Sequence, residues 1–127
     1  MHEASVAASI LEILRARLAL KAPEAMALYV TVRIGEFRAV DPDSLSFAFD
    51  SLKKDYAGCR NCRLLVEPVK AMAVCAGEGH YYHASSQSAF ACRECGAGIR
   101  QLLAGGELDI TGYTVQSSES ELEHNNA

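Results

Sequence analysis

Cysteine placement constrains this 127-residue chain more than any other feature. All five cysteines fall between positions 59 and 95, as two C-x-x-C pairs (Cys59–Cys62 and Cys92–Cys95) and Cys75. An odd count with paired spacing favours metal ligation over a disulfide framework. From Ala71 to about Gly98 clean periodicity also disappears, replaced by glycines, polar residues, three of the cysteines, and His80 and His83. A segment this small cannot bury a core of its own and is expected to depend on a metal for its shape.

The flanking sequence reads as a two-layer fold. Val6, Ile10, Ile13, Leu14 and Leu18 line one face of a helix over residues 4–20, and Pro23 should stop it. Leu28, Val30, Val32 and Ile34 alternate with Tyr29, Thr31 and Arg33, the pattern of a half-buried strand ending at Gly35. Asp41-Pro42-Asp43-Ser44 starts a second helix: Asp41 suits the cap and Pro42 the first helical position. Its apolar stripe is Leu45, Ala48, Phe49 and Leu52, running to about Lys54. A second strand is expected over Leu64–Val69, kept at an edge by Pro68. Leu108, Ile110 and Val115 suggest a closing strand, bent or broken at Gly112.

These elements predict an α+β fold, two helices packed on a three-stranded mixed sheet with an inserted zinc-ribbon-like lobe. Residues 1–70 plus 104–116 form the α/β part and 71–103 the lobe. The polar, acidic stretch 117–127 is expected to be a disordered tail.

Charge and hydropathy narrow the function. The net charge is -4 and no Lys/Arg-rich run exists, so nothing supplies the clustered cations of a nucleic-acid binder. No stretch approaches the ~20 apolar residues of a membrane span, and the start does not read as a secretory signal. A cytoplasmic protein with no nucleic-acid or membrane partner is expected.

Cys92-Arg93-Glu94-Cys95-Gly96 is a strong zinc half-site, because two thiolates three residues apart can face one Zn(II) and the glycine eases the turn. Two further ligands must come from elsewhere. Cys59-Arg60-Asn61-Cys62 has matching spacing. Cys75 with His80, from C-A-G-E-G-H, competes with it, since Cys75 begins a Gly-rich turn. Glu78 is the other candidate for the fourth position and His83 a weaker one. Spacing alone leaves these sets open.

Met1-His2-Glu3 also has metal chemistry. Where Met1 is the free N-terminus, its amine, the deprotonated His2 amide and the His2 imidazole close five- and six-membered chelate rings. In-plane nitrogen donors suit Ni(II) or Cu(II), and the Glu3 carboxylate can complete the set.

These residues resemble the HypA/HybF family. The resemblance lies in Met1-His2-Glu3 with Ser5, Ser9 and Ile10, in V-R-I-G-E-F-R-A-V-D-P-D-S-L-S-F-A-F-D (32–50), in Cys92-x-x-Cys95-Gly96 and in G-G-E-L-D-I (105–110). It runs in collinear order over about residues 1–115. It implies a metallochaperone, not an enzyme, that binds Ni(II) through Met1, His2 and Glu3 and carries structural Zn(II) in the lobe. Asp41 matches an acidic position that the family places near the nickel. The implied partners are a HypB-type GTPase and the NiFe hydrogenase large subunit, with the chain a monomer or homodimer.

One departure bears on the zinc. The family usually carries two C-x-x-C pairs in the lobe; Cys75 matches the first cysteine, but Glu78 stands where the second should be. Some members carry a histidine near the position of His80, which selects Cys75, His80, Cys92 and Cys95. The alternatives are a zinc-ribbon interaction module without nickel transfer, or a redox enzyme using Cys59 and Cys62. The redox reading is disfavoured because the pair precedes a strand rather than opening a helix.

Overall fold

Helix α1 spans Glu3–Lys21 and buries Val6, Ala7, Ile10, Leu11, Leu14 and Leu18. The apolar stripe therefore runs through Ala7 and Leu11, whereas Ile13 is nearly half exposed; a 3.6-residue period from Val6 reaches Ile10 and Leu14 and leaves Ile13 beside the stripe. The helix ends just before Pro23, as expected. These positions come from a computed structural model that describes residues 3–116. Met1, His2 and the expected tail 117–127 lie outside the described residues.

Strand β1 covers Met26–Gly35, with Val30, Val32 and Ile34 buried in the alternation a half-buried strand requires. A 3-10 turn at Glu36–Arg38 follows. Helix α2, Pro42–Leu52, starts where Asp41 accepts the Ser44 N–H at 2.9 Å and Pro42 takes the first turn. Leu45 and Phe49 are wholly buried, Phe47 faces solvent, and α2 packs against α1. The helix stops at Leu52 and a 3-10 turn takes Lys53–Asp55, slightly short of the expected end.

Strand β2 is Arg63–Val69, β3 Met72–Cys75, β4 Tyr81–His83, β5 Ile99–Ala104 and β6 Leu108–Gln116. β2, β1 and β6 form a three-stranded mixed sheet in that order, so Pro68 does lie in an edge strand. β6 runs through Gly112 without the expected break. A glycine there removes a side chain but keeps its backbone N–H and C=O for pairing.

The sequence reading lacked a second sheet. It is antiparallel, in the order β4-β3-β5, with Ala73 opposite Tyr82 and Leu102. Its core is small: buried Ala71, Ala73 and Ala84, packed by Tyr82, Phe90, Ile99 and Leu102. Tyr82 and Phe90 thus pack as aromatic filler, and the Tyr82 hydroxyl donates to the Phe90 carbonyl at 2.7 Å. Tyr81 on the opposite face is exposed.

The chain divides into two compact units, one of residues 33–40 and 67–109, the other of 3–32, 41–66 and 110–116 among those described. Within the first, Glu36, Phe37 and Arg38 act together. The Glu36 carboxylate accepts the Ala71 N–H at 3.1 Å and His83 Nε2–H at 2.6 Å. Phe37 meets Phe90 edge-on with centroids 5.0 Å apart, and Arg38 Nε donates to the Gly106 carbonyl at 2.8 Å. Gly35 and Gly105 permit the close approach beneath, since a Cβ on Gly35 would collide with the Gly105 backbone and one on Gly105 with Ala71. Among the described residues no helix is long and apolar enough to cross a membrane.

Candidate metal centre

Two backbone knuckles bring four ligand atoms together. The first closes the β3–β4 hairpin: the Cys75 N–H donates to the His80 carbonyl at 2.9 Å, and the His80 N–H returns to Cys75 Sγ at 3.2 Å. The second is the Cys92–Gly96 turn, in which the Gly96 N–H donates to the Cys92 carbonyl at 2.8 Å. Gly96 adopts φ +76, the left-handed conformation that favours glycine. Sheet register sets one knuckle against the other, because Cys75 pairs with Ile99 in β5 and the Ala76 N–H donates to Gly98 at 2.8 Å.

The resulting group is Cys75, His80, Cys92 and Cys95, whose ligand atoms all lie within 4.8 Å of one another. Among the described residues it is the one cluster of three or more Cys, His, Asp or Glu with this closeness. Cys75 Sγ stands 3.6 Å from Cys95 Sγ, and His80 Nδ1 stands 3.6 Å from both Cys75 Sγ and Cys92 Sγ. A tetrahedral zinc with Zn–S near ~2.3 Å and Zn–N near ~2.05 Å sets S···S at about 3.8 Å and S···N at about 3.6 Å. The donor set and its spacing therefore fit a four-coordinate ion.

The electrostatics prepare the group for a cation. Burial opposes ionisation of Cys75, but hydrogen bonds from the His80 N–H, the Cys95 thiol and the Glu78 N–H hold its thiol at about 6. For Cys95 the Ala97 N–H favours the thiolate, yet desolvation and the bonds to Cys75 and Cys92 prevail and push it up. Hydrogen bonds to Cys75 and then Cys92 raise His80. A metal must displace these shared protons as it binds.

The other candidates are elsewhere. Glu78 does not join the cluster; its carboxylate lies 3.8 Å from the outer nitrogen of His80, Nε2. His83 is bonded to Glu36. Cys59 and Cys62 are wholly buried in the turn before β2, where the Cys62 N–H donates to the Cys59 carbonyl. Desolvation pushes Cys59 up and Cys62 up to about 12, so both are poor nucleophiles and poor anionic ligands as they stand. Their thiols face the carbonyls of Ala57 and Arg63.

Of the N-terminal set, Glu3 is described. Its carboxylate accepts the Asp41 N–H at 2.9 Å, and that bond heads the causes that lower its pKa. Asp41 is therefore next to Glu3, but through its backbone; its carboxylate caps α2. Sequence reasoning missed Glu94, which lies between the two cysteines of C-x-x-C and brings its carboxylate within 3.3 Å of His80 Nε2. The usual pairing of a ligating histidine with a carboxylate was the signal available for it.

The fold and the cluster together define a small α+β protein with a Cys/His metal-binding group at the end of a three-stranded antiparallel sheet. Comparison with known proteins makes this specific. The family model described as "Hydrogenase/urease nickel incorporation, metallochaperone, hypA" matches residues 1–115, and the chain belongs to the HypA family of nickel metallochaperones. A hydrogenase maturation factor HypA from Desulfosudis oleivorans is 33% identical over 116 residues, covering 91% of this chain and 99% of the relative. A relative of the same description from Desulfatibacillum aliphaticivorans is 29% identical over 119 residues, 94% of this chain and 90% of that one. The solution structure of the Ni metallochaperone HypA from Helicobacter pylori shares the fold, with TM-score 0.62 and 23% identity over 93% of this chain and 100% of that one.

Proposed function

We propose that the chain carries Ni(II) at its N-terminus and delivers it for NiFe hydrogenase maturation, as a carrier and not a catalyst. Met1, by its free amine, His2 and Glu3 hold the nickel. The observation that carries this reading is the bond from the Asp41 N–H to the Glu3 carboxylate at 2.9 Å. It ties the third residue to the start of α2, so an ion chelated by the two preceding residues would have a carboxylate fixed beside it. Asp41 serves the site as a holder of Glu3, since its own carboxylate already accepts the Ser44 N–H.

Zn(II) is the resident ion of Cys75, His80, Cys92 and Cys95, where three thiolates and a neutral imidazole suit a closed structural site. Bound there, zinc supplies a cross-link between the two knuckles, and the chain's own hydrogen bonds at Cys75 and Gly96 aim the donors. Residues 1–70 with 104–116 serve nickel and 71–103 serve zinc. The cargo is received or handed on with a HypB-type GTPase and the hydrogenase large subunit in the cytoplasm. The chain acts as a monomer or homodimer, without nucleic-acid or membrane partners.

The test is calorimetric titration of Ni(II) into zinc-loaded protein with Met1 free and with Gly-Ser placed before it. The extension keeps every side chain and moves the amine away from His2. One tight nickel in the native form alone is the expected result. Equal binding by both would place nickel elsewhere, and tight binding by neither would favour a zinc-organised interaction module.

A further inference from the structure

His80 presents two nitrogens where a cysteine would present one sulfur. An imidazole can be protonated at either nitrogen and can turn about its ring axis, so a histidine in a thiolate's place needs something to select the ligating atom. Here the ring lies between two kinds of partner. Nδ1 faces the cluster, 3.6 Å from both Cys75 Sγ and Cys92 Sγ. Nε2 faces outward, 3.3 Å from Glu94 Oε1 and 3.8 Å from Glu78 Oε1.

We infer that Glu94 is a positioning residue of the metal centre, whose carboxylate accepts the Nε2–H of His80 and thereby fixes the imidazole as an Nδ1 ligand. The inference rests on the reading that Cys75, His80, Cys92 and Cys95 hold the metal. Glu94 is preferred to Glu78 on distance, since its oxygen lies 3.3 Å from Nε2 against 3.8 Å for Glu78, so the smaller movement closes it to hydrogen-bond length.

The Glu94 side chain is 74% exposed, and an exposed carboxylate ordinarily contributes little, because water competes and ordering a free side chain opposes the bond. Its place in the chain reduces that second opposition. Glu94 lies between Cys92 and Cys95, and the Gly96-to-Cys92 and Cys92-to-Ala97 backbone bonds fix the turn that carries it. Only its own rotamers remain to be ordered. A carboxylate on the far nitrogen also raises the basicity of the near one, which strengthens the bond to a cation.

The experiment uses zinc-loaded full-length chain and reads two quantities: the long-range 1H–15N spectrum of His80 and zinc affinity by chelator competition at one fixed pH. The wild type is expected to show metal-bound Nδ1 and protonated Nε2. Glu94→Ala should weaken zinc by about tenfold, the lower end for loss of a partner to a ligating histidine. Glu94→Gln, whose amide oxygen still accepts the Nε2–H, should keep most of the affinity, and Glu78→Ala should change it far less than Glu94→Ala. In a His80→Cys background, which has no imidazole to orient, Glu94→Ala should have no effect.

Unchanged affinity and an unchanged His80 spectrum in Glu94→Ala would overturn the role of Glu94. So would an equal loss in the His80→Cys background, which would mark a general effect of charge or folding. Zinc bound while neither His80 nitrogen is metallated would overturn the ligand set itself, an outcome that the spectrum alone separates from the other two.

Discussion

Asp41 donates its backbone N–H to the Glu3 carboxylate while its own carboxylate accepts the N–H of Ser44, each at 2.9 Å. One residue thus caps α2 and holds Glu3, through different atoms. Asp41→Ala removes the cap and keeps the donor, and should cost about 1 kcal/mol of stability with nickel affinity nearly retained. Asp41→Pro also removes the donor, and the φ of -79 at this position admits proline. It should weaken nickel about tenfold relative to the alanine variant, the scale of a hydrogen bond to a charged group. Calorimetry on both decides, and equal nickel affinities would detach the Asp41 backbone from the nickel site.

Metal removal should act locally. The β4-β3-β5 sheet has a core of three buried alanines with four partly buried side chains around it, little apolar area to hold three short strands. Chelation of the zinc should therefore speed amide exchange at Ala73, Cys75 and Tyr82 by orders of magnitude. Exchange in α1, whose buried face carries Leu11, Leu14 and Leu18, should change little. Uniform protection before and after chelation would show that the sheet stands without the ion.

Cys59 and Cys62 should prove structural. Cys59→Ala or Cys62→Ala should retain one equivalent of zinc and lose about 1–2 kcal/mol of stability through the missing buried sulfur. Cys92→Ser should lose the tight zinc. Metal analysis with denaturant unfolding separates the two, and zinc lost from the Cys59 or Cys62 variant would return that pair to the ligand set.

Glu36 gives the lobe-side unit an acid dependence. Burial works to raise its pKa, but the hydrogen bonds from His83 and the Ala71 N–H, aided by the charges of His83 and Lys70, leave it below the ordinary carboxyl range. A depressed folded value contributes stability that is present above the unfolded carboxyl pKa and lost as pH falls through the folded one. The stability gap between wild type and Glu36→Gln should thus be widest near neutrality and shrink in acid below about pH 4. Denaturant midpoints measured across that range check it; a gap independent of pH would remove the ionised carboxylate from the account.

Much of the larger sheet and both helices was legible in the sequence because their signals are local. The Val30-Val32-Ile34 alternation and the Asp41-Pro42 start each specify an element within a few residues. The second sheet was not legible, since β4 has three residues and β3 four, too few for a period, and their inward positions are only Ala73 and Cys75 in β3 and Tyr82 in β4. The spacing of Cys92 and Cys95 revealed half of the cluster. For the other half, spacing left Cys59/Cys62 and Cys75/His80 open and the family resemblance chose Cys75 and His80; the structure adds the hairpin that brings His80 back to Cys75, a relation set by β-sheet register. Glu94 escaped because its importance depends on which way the His80 ring faces.

The glycines under the Glu36–Arg38 turn bear on how a mutational map of this protein would read. Gly35 and Gly105 meet backbone to backbone, and Gly105 also meets Ala71, leaving no room for even a methyl group. In a saturation screen scored by hydrogenase maturation, both positions will be as intolerant as Cys92 or Cys95. Phenotype alone would then draw a false active site around two residues whose intolerance comes from backbone crowding. The same crowding gives the I-G-E and G-G-E-L-D-I stretches an architectural need for their glycines, so a relative that kept both would preserve a crossing of chains, and its metals must be read from its ligands.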